Sequence, residues 1–312
     1  CLIIAPTEGD MSLIAAILLL ISAVTHAGWN YISKKKHPTA AFYLVANTIG
    51  VICVVPVLLY YGNQIPLIPK AVWIFIAMSG FFLAAYMAAL AGAYRAGDIS
   101  IAYPLARSLP VIFVFLITLI LGKGKPLGAW VIIGIILIAA GCTILPLKGL
   151  RQFRLSNYKN MCCLLAVLAA VGIAGYTVTD DTALRNLREI PGKPWDPVDA
   201  TLVYMVLEGI SCSFWQSLIV TFDSRERKAL IEVLHDFKGA ATLTGIGIYL
   251  TYGLVLASMN YVTNVSYVAA FRQLSIPLGA LFGMVLLNEP RYVPKIIGVV
   301  IIFLGLILVG VG

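Results

Sequence analysis

Four ionisable residues stand inside long apolar runs of this chain: His26, Arg107, Glu208 and Arg272. A charge at mid-bilayer costs at least ~2.5–3.5 kcal/mol on insertion scales, so each needs a partner or a task. Arginine keeps its charge and offers a fork of donors matched to carboxylate or phosphate. Arg107 and Arg272 are therefore candidate contacts for an anionic group on a solute. The competing reading is internal neutralisation, with Glu208 as the counter-charge of Arg272. A buried carboxyl can also carry a proton, which makes Glu208 a candidate for coupling as well as for charge pairing. His26 could titrate near neutral pH, although such a residue is more often a satisfied packing group. Trp29 and Tyr176 could gate a cavity or belong to an interfacial aromatic belt. Tyr86, Tyr103, Tyr252 and Tyr267 offer hydroxyls and ring faces suited to a small polar solute or a cation.

The elements that must position these groups are membrane spans. Of the 312 residues, 61% are apolar and only 12% charged, about half the usual soluble share of ~25%. A soluble domain cannot dissolve with so little surface charge, which excludes a soluble enzyme. A span needs ~20 apolar residues, and ten fit: 13–33, 41–61, 71–93, 99–121, 127–147, 159–180, 199–221, 239–259, 265–287 and 293–311. Residues 1–12 form an N-terminal segment set aside as a remnant of processing or cloning. The link 222–238 places Leu230, Val233, Leu234 and Phe237 on one helical face and Arg227, Lys228 and Asp236 on the other, as an interfacial helix would. Counting Lys159 and Lys295 at the span edges with their links, links 1–2, 3–4, 5–6, 7–8 and 9–10 hold 14 lysines and arginines, the remaining links 6. The positive-inside rule then puts those five links in the cytoplasm and both termini outside. The net charge of +8 is a topology signal rather than a sign of nucleic acid.

The two halves repeat. Residues 132–141 match 296–305 at five of ten positions, both glycines included. Tyr86, Ala91, Asp98 and Ser100 align with Tyr252, Ala257, Asn264 and Ser266 at one offset. The first repeat covers 13–147, a linker 148–158, and the second repeat 159–312. Five spans per repeat turn the second copy upside down, the construction of alternating-access transporters. Pro104, Pro110 and Pro277 interrupt backbone bonding within spans 4 and 9, which marks both as cavity walls. The six cysteines have no metal-ligand spacing, and no catalytic set is present, so neither a metal nor a cofactor is expected.

Three stretches carry a resemblance to a known family: His26-Ala27-Gly28-Trp29-Asn30, Tyr103-Pro104-Leu105-Ala106-Arg107 and Phe271-Arg272-Gln273-Leu274-Ser275. With the Leu287-Asn288-Glu289-Pro290 exit of span 9, which looks like a Gly-Glu-Pro close, they resemble the EamA family of the drug/metabolite transporter superfamily. The counterpart Leu121-Gly122-Lys123 lacks the glutamate often found there. The resemblance implies a ten-helix basket around a solute cavity and adds Asn30 and Gln273 to the substrate-binding candidates. The expectation is an all-α polytopic membrane protein of ten transmembrane helices in two inverted five-helix repeats. It would move a small anionic or zwitterionic, amino-acid-like metabolite across a bacterial inner membrane, as a monomer or homodimer, with protons as a candidate coupling ion. A cation or drug exporter with proton antiport, and a flippase for a phosphorylated lipid carrier, are the alternatives.

Overall fold

A computed structural model describes residues 12–36, 38–120, 128–149, 158–188, 196–259, 261 and 271–311. Apolar runs in lipid must satisfy their own backbone groups, and helices do so. The described residues form α1 (Leu13–Lys35), α2 (Ala40–Val54), α3 (Pro56–Tyr60), α4 (Lys70–Ala96), α5 (Ile99–Ile120), α6 (Ala129–Ile144), α7 (Met161–Arg188), α8 (Pro197–Phe222), α9 (Ser224–Glu232), α10 (Lys238–Met259), α11 (Ser275–Leu286) and α12 (Val293–Val311). Local signals set the starts. Ser12 accepts from the Ala15 amide, Thr39 from that of Phe42 and Asp196 from that of Val198. Pro56 restarts the chain as α3 directly after α2.

Among the described residues, seven helices are long and apolar enough to cross a membrane: α1, α2 with α3, α4, α5, α7, α8 and α12. The shorter apolar helices α6 and α11, together with α10, lie where the sequence places the other three spans. Their outer faces are bare hydrocarbon: Trp130 is 62% exposed and Ile136 61%. In water that surface would aggregate, whereas lipid solvates it. The protein is an integral membrane protein.

One expectation needs correction. Helix α7 runs eight residues beyond the expected end at 180, to Arg188. Hydroxyls at Thr179 and Thr182 bond back to their own helix, and Arg185 pairs with Asp181 one turn earlier at 2.9 Å. Span 9 is interrupted as expected: Phe271 and Arg272 are helical, Gln273 and Leu274 form a turn, and α11 restarts at Ser275. Pro277 has no N–H for the Gln273 carbonyl, which accepts from the Ile276 amide at 2.9 Å instead. Residues 262–270, with the expected start of that span, lie outside the described residues.

Packing follows a pattern. Helix α4 packs on α7 and α8, α1 on α10 and α11, and α2 on α8 and α10. Helix α5 packs on α7 and α11, and α6 on α12. Nearly all the large contacts join the first half of the chain to the second. In the α6–α12 seam, glycines let the backbones touch: a Cβ at Gly134 would sit 2.6 Å from the Gly305 carbonyl, and one at Gly141 2.9 Å from that of Gly298.

Both ends of the bundle are tied. At one, Lys34 donates to the carbonyls of Tyr94 and Gly97 that close α4. Glu226, on the link after α8, accepts from the Ala41 amide of α2 at 3.0 Å and pairs with Arg95 at 3.7 Å. Asn288, at φ 54°, turns the chain after α11, a backbone state asparagine tolerates. The turn aims the Glu289 carboxylate at the start of α5, where it accepts from the Ile99 amide (2.6 Å), the Ser100 amide (3.0 Å) and the Ser100 hydroxyl (2.5 Å). Lys295 pairs with Asp98 at 2.8 Å beside it. At the other end Tyr61, leaving α3, donates to Asp199 at the start of α8 at 2.5 Å. That bond pushes the Tyr61 hydroxyl up to about 12.

Candidate functional site

At the centre the helices leave a cavity of about 200 Å³. Its wall is assembled from both halves. His26 and Trp29 come from α1, Tyr86 from α4, Arg107 from α5, Tyr176 from α7, Glu208 from α8 and Tyr252 from α10, with Arg272 just before α11. Eight of the residues singled out in the sequence therefore line one space.

The cavity has two poles. Arg107 and Arg272 lie near enough for their charges to repel, and both act on His26. Neither forms an ion pair among the described residues. The pairing of Arg272 with Glu208, suggested by their depths, is not made. The Nε of Arg107 is buried with no hydrogen-bond partner among the described residues, and so is the Nε1 of Trp29, whose side chain is nine-tenths or more buried. An orphaned buried donor costs ~1–3 kcal/mol, so a pair of them beside two like charges is a place prepared for an acceptor.

The acidic pole was not anticipated in full. Ser79 Oγ on α4 lies 2.5 Å from Asp180 Oδ1 and 2.8 Å from Glu208 Oε1. The Tyr204 hydroxyl donates to Asp180 Oδ1 at 2.8 Å. Tyr176 stands between the poles and feels both arginines and both carboxylates. Tyr86 packs on it with ring centroids 6.2 Å apart. Sequence reasoning missed Asp180 because it closed the expected span, where a charge needs no explanation. Ser79, Asn47, Tyr204 and Tyr249 carried no charge to draw notice, yet the Tyr249 hydroxyl donates to Asn47, and Asn47 to Ser213 and the Gly209 carbonyl.

Three expected residues sit behind the wall. Tyr103 is fully buried, with its hydroxyl 2.8 Å from His26 Nδ1. Asn30, also fully buried, donates to the His26 carbonyl at 2.8 Å and accepts from the Tyr94 hydroxyl at 2.7 Å. Farther along α1, Ser33 donates to Tyr43 in a separate buried bond. Together they plug the cavity toward the end where Lys34 and Glu289 lie. Gln273 has a buried Oε1 without a partner among the described residues, away from the cavity wall. Tyr267 lies outside the described residues. At the opposite end Leu184 and Met205, near the ends of α7 and α8, line the cavity, so it reaches toward the end that holds Tyr61 and Asp199.

Comparison with known proteins agrees with this architecture. Residues 160–311 match the EamA-like transporter family. A solved structure described only as "Crystal structure of protein" is 15% identical, with 95% of this chain and 96% of the other covered at a TM-score of 0.51. At that identity the likeness establishes the fold alone. No curated protein matches the sequence.

Proposed function

We propose that this chain, whose residues 160–311 match the EamA-like transporter family, is a secondary transporter of the drug/metabolite type for a small anionic or zwitterionic, amino-acid-like metabolite. The observation that carries the reading is the set of unmatched donors: Trp29 Nε1 and Arg107 Nε are buried without partners among the described residues, beside two arginines that repel one another. A solute carboxylate placed there would accept from both and relieve the repulsion. An ammonium on the same solute would face Asp180 and Glu208 across Tyr176. A cavity of about 200 Å³ suits a solute smaller than the drug-sized ligands that fill ~300–1,000 Å³.

The transport mechanism is alternating access by an inverted repeat of ten spans, in a bacterial cytoplasmic membrane. Packing supports the repeat. If each helix of the first half is exchanged for its counterpart in the second, α4 on α7 becomes α10 on α1, α5 on α7 becomes α11 on α1, and α4 on α8 becomes α10 on α2. The pairs α2–α8, α5–α11 and α6–α12 map onto themselves. Contacts between links support alternation across the membrane, since Lys34, Arg95, Glu226 and Glu289 meet at one end and Tyr61 meets Asp199 at the other. Because the repeats interleave, the moving bodies each combine helices from both halves. The acidic pole favours a second reading, an organic cation exporter with proton antiport.

Purified protein in liposomes tests the reading. Thermal-shift screening against metabolites should select amino-acid-like solutes, and their counterflow should fail in Arg107→Ala and Arg272→Ala. Selection of permanent cations alone, with full transport in both arginine variants, would overturn it in favour of the cation exporter.

A further inference from the structure

Asp180 and Glu208 meet across a single hydroxyl, and the hydrogens there can be counted. Ser79 Oγ lies within hydrogen-bond distance of both carboxyls, at 2.5 and 2.8 Å, but a serine carries one hydrogen. Tyr204 directs its own hydrogen to Asp180. With both carboxyls ionised, Glu208 Oε1 would face serine lone pairs or displace the bond to Asp180. One added proton completes the chain: Tyr204 and Ser79 donate to Asp180, and Glu208 donates to Ser79.

The surroundings favour holding that proton. Among the described residues no lysine or arginine lies within 4.0 Å of either carboxylate. The groups facing the pair are Tyr176 on α7, Tyr204 and Cys212 on α8 and Tyr249 on α10, all neutral at physiological pH. Arg107 and Arg272 act on the same Tyr176 from the far pole. Two like charges this close do not ionise together cheaply, so the pair titrates as one unit. An independent observation points to a solute in the same space, because the buried Trp29 lines the cavity and its Nε1 has no partner among the described residues.

We propose that Asp180 and Glu208, bridged by Ser79, form a single-proton binding site that couples proton movement to solute passage through the shared cavity. The proposal rests on the reading of the chain as a transporter. The proton arrives from water on one side of the membrane, forms an O–H bond with a Glu208 carboxylate oxygen, and returns to water on the other side. No electron changes hands. The bridging Ser79 comes from α4 in the first half of the chain, and the two carboxyls from α7 and α8 in the second, so the site joins the two repeats.

Infrared spectroscopy of the protein in lipid, without any solute, tests the proton directly. A protonated-carboxyl C=O band should be present at neutral pH, vanish in Glu208→Gln and shift in Ser79→Ala. A spectrum unchanged by Glu208→Gln and by Asp180→Asn overturns the site, whatever the protein transports. Flux in liposomes tests the coupling. Glu208→Gln should lose accumulation driven by a pH gradient, and Ser79→Ala should show a displaced pH profile. Retained pH-driven accumulation in Glu208→Gln overturns the coupling. Loss of solute binding in a well-folded Glu208→Gln, with the infrared band of the wild type absent, makes the pair an ammonium contact and overturns it too. If the wild type moves no solute while the band is present, the transporter reading fails and the proton site stands.

Discussion

Replacing Glu289 by glutamine should loosen the start of α5 and, through it, the placement of Arg107. The carboxylate accepts three hydrogen bonds, from two backbone amides and one hydroxyl, and is only 8% exposed. Its negative charge also faces a helix N-terminus, worth ~0.3–2 kcal/mol by itself. Hydrogen bonds to a charged group contribute ~1.5–3 kcal/mol each, although three to one carboxylate are not additive. Glutamine keeps one acceptor oxygen and turns an NH₂ toward donors, so we expect a loss of about 2–4 kcal/mol. At ~1.4 kcal/mol per tenfold, the opening equilibrium of the first turns of α5 should rise roughly 30- to 700-fold. Hydrogen exchange read by mass spectrometry on the segment 99–107 should report that change, with α2, capped separately by Glu226, unaffected. Arg107 lies two turns into α5, so solute KM should rise in the same variant. Unchanged exchange at 99–107 would refute the reasoning, and so would a loss of protection spread evenly over α2 and α5.

Other outcomes follow from the same geometry. Gly134→Ala and Gly141→Ala should each cost about 1–3 kcal/mol in detergent unfolding, because the added methyl meets a facing backbone carbonyl. Gly298→Ala and Gly305→Ala should cost amounts of the same order if the seam is built by exchange of equivalent positions. Trp29→Phe keeps the ring and removes the unpartnered Nε1 donor, so it should weaken solute binding by about 1–3 kcal/mol while leaving thermal stability without solute equal or improved. Asn288→Gly should be neutral or slightly stabilising, whereas Asn288→Val should destabilise by ~1–3 kcal/mol, since a β-branched residue resists positive φ. Thermal unfolding of the purified variants checks both.

The helices were legible because lipid makes hydropathy decisive, and the charges inside them were legible because they violate it. His26, Arg107, Glu208 and Arg272 drew notice by that violation and all line the cavity. What distance in sequence cannot supply is the partner. Arg272 and Glu208 share a depth, yet depth says nothing of position around the bundle, and they face different poles. Asp180 was hidden by a boundary: its neighbours Asp181 and Thr182 look like the beginning of a link, and only internal side-chain bonding carries α7 onward. The Glu289 motif was visible as a family-like sequence, but its work could not be read, because its target at Ile99 and Ser100 is almost two hundred residues away.

The interleaving of the halves has a consequence for how the protein is made. Helices leave the ribosome in order, and α4 enters the bilayer long before α7 and α8, its chief packing partners, have been translated. The same holds for α1, which waits for α10 and α11. Throughout that interval Tyr86 and Arg107 face lipid or the insertion machinery rather than the cavity they will line. The first half is thus a membrane-inserted but unassembled intermediate, and a chain interrupted after α6 would leave those faces uncovered for quality-control proteases to recognise.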